Sequence, residues 1–146
     1  MSFLILLSLF AKLPDAVREV RASSCQAIRV NVALGMTTQI VLEQEPEVTL
    51  HADQKHFKIY SNEVSKKSFA IIPTISAVEI ENFGDGRNRA LNSSELAHFL
   101  DNSFRTNLFV FFKNQNQLLF DLRFVEKSKA DRVLKVSQDF SGDCNL

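Results

Sequence analysis

Three histidines, His51, His56 and His98, are the side chains whose chemistry could serve proton transfer or metal binding near neutral pH. Their spacing matches none of the short ligand pairs of zinc sites. The chain holds no Gly-x-Ser-x-Gly elbow, no glycine-rich phosphate loop and no paired zinc cysteines. With four glycines in all, a phosphate cradle has little material. Asp121 and Arg123 sit two apart in an alternating apolar run and read as charge decoration of a strand. No residue is therefore assigned a catalytic, metal-binding or cofactor-binding role, and the sequence reads as non-enzymatic.

Cysteine chemistry is the other possibility. Cys25 and Cys144 are the two thiols, and they bracket the predicted domain. In an oxidising compartment they are candidates for one disulfide joining the first and last segments, and in reducing cytosol they are two unrelated thiols. Closing so long a loop would contribute about 4–5 kcal/mol in the chain-entropy treatment. The compartment is addressed by the N-terminus, "MSFLILLSLFAKLPDAVREVRASSC". Ser2 to Phe10 has the length of a signal-peptide apolar region and is too short to cross a bilayer as a helix. Residues 1–24 are read as a leader, with cleavage between Ala11 and Ser24, and the protein as exported to the periplasm. The alternative is a buried strand or helix start. Charged residues between the apolar run and Cys25 argue against lipidation.

The elements that would position any site follow from the remaining residues. The chain of 146 residues suffices for one domain with a real core. Its 45% apolar and 23% charged content is ordinary for a globular protein. Lys plus Arg and Asp plus Glu number 17 each, so no global field attracts nucleic acid or an anionic membrane. Thirteen Phe beside one Tyr and no Trp favour dry packing.

From Ala27 onward the apolar period is two. "AIRVNVAL", "MTTQIVLE", "EVTLHA", "HFKIYSN", "SFAIIP", "AVEIEN" and "VLKVSQ" read as short strands separated by polar breaks. "NSSELAHFLDNSF" differs: Asn92 and Glu95 are spaced as a capping box, and Leu96, Phe99 and Leu100 recur at helical spacing. The expectation is an all-β antiparallel sandwich, Ig-like or jelly-roll-like, over residues 25–138. It carries one short inserted helix at 92–103, within an excursion that starts at "NFGDGRNRA", and a tail at 139–146.

"TNLFVFFKNQNQLLFDLRF" reads as a central hairpin turning at "KNQNQ". Leu108, Val110 and Phe112 form one face of its first strand, and Phe109 and Phe111 form the other, so both faces avoid water. The second face is covered either by the helix at 92–103 or by another protein. Phe109, Phe111 and Leu119 are accordingly the interface candidates.

Beyond these patterns, the chain resembles the N-terminal domain of the TrbG/CagX family, VirB-nine-like outer-membrane core subunits of type IV secretion systems. The likeness covers residues 28–125. It rests on Gly35, Thr38 and Ile40 of a "G-x-x-T-x-I" strand pair, on Thr106, Asn107, Leu108 and Val110 of a "TNL-x-V" strand, and on Phe120 and Leu122 of an "F-x-L" strand. The resemblance implies a periplasmic β-sandwich that assembles with copies of itself and with partner subunits, touching the membrane only through them. A sandwich binding a peptide, carbohydrate or cell-wall fragment is the alternative, although a chain without Trp offers little for sugar stacking.

Overall fold

Alternating burial is what the period-two pattern demands, and it recurs along most strands of the computed structural model, which describes residues 16–23, 26–83 and 91–139. Among the described residues nine strands and two α-helices follow in order: β1 Val17–Ser23, β2 Ala27–Val32, β3 Thr38–Leu42, β4 Val48–His51, β5 Phe57–Ser61, β6 Ser68–Pro73, α1 Ala77–Phe83, α2 Ser93–Ser103, β7 Thr106–Phe111, β8 Gln117–Phe124 and β9 Val133–Asp139. A short 3-10 turn, Lys127–Lys129, lies between the last two strands. Cys25, Cys144 and the whole "GDGRNR" stretch lie outside the described residues.

Two sheets, in the orders β1-β9-β3-β6-β5 and β2-β8-β7-β4, form the expected all-β sandwich. Their inward faces supply the core. Val30, Val32, Ile40, Phe57, Ile71, Leu108, Val110, Phe120, Leu122 and Leu134 are all fully buried. Aromatic contacts join the layers: Phe69 meets Phe120 edge-on at 6.3 Å between ring centroids, and Phe57 meets Phe124 at 5.4 Å. Such tilted pairs use the ring quadrupole as well as burying area. The Phe-rich composition therefore serves cross-layer packing.

The pairing is mixed rather than wholly antiparallel. β1 with β9, β2 with β8 and β3 with β9 run parallel, while β3–β6, β5–β6, β4–β7 and β7–β8 run antiparallel. The cause is that the chain changes sheets repeatedly, the passages from β1 to β2 and from β8 to β9 among them. Where β1 gives way to β2 the Gln26 N–H donates to Ser23 O, and β8 passes to β9 through residues 125–132. Each passage reverses direction, so the first two strands meet the last two in parallel.

Two boundaries move. β1 lies inside the span assigned to a leader, so the folded domain takes in residues from Val17 rather than from Cys25. "AVEIEN" is helix α1 and not a strand. Ser76 and Glu79 explain it, because Ser76 Oγ accepts from the Glu79 N–H while Glu79 Oε2 accepts from the Ser76 N–H. This is the reciprocal capping arrangement that starts α2 at Asn92 and Glu95.

One ion pair ties the layers together at the β1–β2 side. Asp131 is 7% exposed, and both its oxygens receive the Arg18 guanidinium at 2.7 Å. Its Oδ2 also accepts from the Asn31 N–H at 2.8 Å. Arg18 belongs to one sheet and Asn31 to the other, so the carboxylate clamps both edges.

Candidate functional site

The outward face of the four-stranded sheet gathers the apolar side chains left out of the core. Pairing register sets Ala27 beside Leu119, Leu119 beside Phe109, and Phe109 beside Leu50. One step along, Phe111 lies beside Val48. Because side chains on one face recur every second residue, these positions form a continuous band across all four strands. Phe109 and Phe111 stack at 6.2 Å and 17° between planes. They and Leu119 are half-buried, whereas Leu50 is 54% and Val48 46% exposed. The three interface candidates thus share one surface, and the structure adds Val48 and Leu50 to it.

Helix α2 does not cover this band. Asp101 fixes the helix to the far end of β8, accepting from Arg123 Nε at 2.8 Å and from the Phe124 N–H at 3.0 Å. Leu100 enters the core, and Leu96 and Phe99 pack on its margin. The helix therefore closes an end of the sandwich. Between it and the band runs an ionic strip in which Asp121 receives Arg105 at 3.0 Å and lies 3.7 Å from Arg123. One face thus has an oily half and a charged half.

Arg123 holds the Asp101 carboxyl below its ordinary value of 3.8, its hydrogen bonds outweighing the opposing effect of burial. The folded state then binds fewer protons than the unfolded chain as pH falls through the carboxylate range. The stabilisation is present above pH about 4 and is lost as pH drops toward the depressed folded value. Asp101→Asn is expected to flatten the acid limb of stability, with urea midpoints at pH about 3 and about 6 closer together than in the wild type. An unchanged difference would show that this pair does not govern acid sensitivity.

Among the histidines, only His56 gathers acidic partners. Its Nδ1 lies 2.9 Å from Asp53 Oδ2 and its Nε2 lies 3.0 Å from Glu79 Oε1, while its ring tilts on Phe104 at 4.6 Å. Glu79 also binds Lys55 and Ser76, and the Lys55 ammonium does most to hold its carboxyl far below the usual carboxylate range. Each polar atom of this group is spent on a neighbour, which fastens α1 to the 53–56 turn. His51 donates from Nε2 to Phe57 O at 3.0 Å, and His98 pairs with Asn102 on exposed α2. Among the described residues no three His, Cys, Asp or Glu side chains are grouped to hold a metal ion.

An apolar cleft of about 240 Å³ opens between α2 and residues 125–128, lined by Leu34, Leu96, Leu100 and Val125. Among the described residues no helix is long and apolar enough to cross a membrane. Comparison with protein-family models and with curated proteins finds no match to the chain.

Proposed function

We propose that the protein is a non-catalytic protein–protein interaction module, exported to the periplasm, that serves as a structural subunit of an envelope-spanning, type IV-like secretion complex. The observation that carries the reading is the outward apolar band of Phe109, Phe111, Leu119, Val48 and Leu50. It is a joined patch rather than scattered single residues, and such patches mark contact surfaces. The ionic strip beside it supplies a polar rim of the kind that sets register between partners. The class of complex comes from the TrbG/CagX resemblance of residues 28–125.

Leu119→Lys tests it. The side chain is half-buried on the outer face, so the fold should survive with a stability change of about 1 kcal/mol or less. The variant is expected to leave the large detergent-extracted envelope complex and migrate alone in native fractionation. Co-migration with the complex, as for the wild type, would sink the reading. The ligand-binding alternative has the cleft beside α2 in its favour, but its volume of about 240 Å³ is below the range of ordinary ligand sites, about 300–1,000 Å³. Tyr60, the one aromatic with a hydroxyl, stands on β5, apart from that cleft.

A further inference from the structure

Four strands end the two sheets: β1 and β5 in one, β2 and β4 in the other. An edge strand offers unpaired N–H and C=O groups to any incoming chain, and charged side chains are the usual guard. Three of these edges are guarded. β1 carries Arg18, Glu19 and Arg21, β2 carries Arg29, and β5 carries Lys58. The β2 edge is also occupied, since Arg18 Nη2 donates to Arg29 O at 2.6 Å and the Asn31 N–H is bound by Asp131. β4 reads Val48-Thr49-Leu50-His51 and has no Lys, Arg, Asp or Glu. Its outward side chains, Val48 and Leu50, are the exposed end of the apolar band.

We propose that β4 is where a second copy of the chain adds, strand against strand and antiparallel, about a two-fold axis at Thr49. The proposal rests on the interaction-module reading and names the partner. The sequence is self-complementary in this register. Val48 falls opposite Leu50 of the second copy, apolar against apolar, and Glu47 falls opposite His51, acid against base. Directly opposed residues point to the same side of a sheet, so both apolar pairs lie on the outer face. The band then runs unbroken across an eight-stranded sheet, and the two open edges are removed together. Centring the axis on Leu50 would set Thr49 against His51 and give up the Glu47–His51 match. Centring it between Thr49 and Leu50 would oppose Val48 to His51, whose side chains point to opposite faces. A two-fold contact uses the same patch on both copies, which this register satisfies.

Sedimentation of the full chain across the micromolar range tests this. The wild type is expected to be a dimer, and Leu50→Lys and Val48→Glu are each expected to weaken association by about tenfold or more. Because positions 48 and 50 oppose each other, an equimolar mixture of the two variants should recover dimers, the new carboxylate facing the new ammonium. That recovery also shows that both variants fold. A monomeric wild type, an unweakened Leu50→Lys dimer, or a mixture that stays monomeric would overturn the proposal. A monomer that still enters the envelope complex in a Leu119-dependent way would remove the second copy alone and leave the interaction-module reading standing; a dimer that never enters the complex would do the reverse.

Discussion

Asp131→Ala is expected to lower the free energy of unfolding by about 2–4 kcal/mol, because it breaks a paired, buried carboxylate that holds three donors. Both oxygens are committed to Arg18 and one also to the Asn31 N–H, at 2.7–2.8 Å. Arg18 keeps 39% of its side chain exposed and can turn to water, which places the expected loss below that of a fully enclosed pair. The consequence is local before it is global: β1 and β2 lose their common clamp, so amide exchange along Val17–Ser23 should rise most. Urea unfolding with exchange measured on the same variant checks both. A loss under about 1 kcal/mol, or unchanged protection of β1, would mean that strand pairing with β9 suffices without the clamp.

The second large effect concerns the core. Phe120→Ala should cost about 3–5 kcal/mol, the range for deleting a fully enclosed aromatic and leaving a cavity. Phe120 has no exposed area, pairs with Ile28 and Leu108 on the neighbouring strands, and meets Phe69 across the layers. Phe109→Ala on the next strand is the informative contrast. Its ring is half-buried on the outward side and stacks on Phe111, so its removal should cost well under half as much. Equal losses in denaturant unfolding would show that the outer band is packed as tightly as the core, and the proposed contact surface would lose its basis.

Much of this architecture is legible in the residues. Alternation in "AIRVNV" and "QLLFDLRF" marks the strands because one side of each faces the core and the other does not. The hairpin at "KNQNQ" follows from its polar residues, and Gln115 adopts the left-handed conformation that closes it. What the pattern lacks is partner identity. An alternating strand looks the same whether its neighbour is parallel or antiparallel, so the β1–β9, β2–β8 and β3–β9 pairings depend on passages between sheets that no local signal records. "AVEIEN" misleads because Val78 and Ile80 alternate with Glu79 and Glu81. The signal that decides it, Ser76 reciprocally bonded with Glu79, has the spacing that correctly marks α2.

The candidate surface was half legible. A strand apolar on both sides points to Phe109 and Phe111, and the hairpin register brings in Leu119. Val48 and Leu50 join only because β4, distant in sequence, pairs with β7. Of the two covers considered for this face, helix α2 is accounted for elsewhere, docked by Asp101 at the end of β8. Asp131 gives no sequence signal at all, since a lone acid between strands resembles any solvated linker residue.

The claim that the outer band is a contact surface is tested most directly by a photo-reactive side chain placed at Leu119 and activated in the intact cells that make the protein. The same group at Val64, which is 97% exposed in the connection between β5 and β6 of the other sheet, serves as the control. Position 119 is expected to give discrete protein adducts and position 64 none. No adduct at 119, or the same diffuse labelling at both positions, would contradict it.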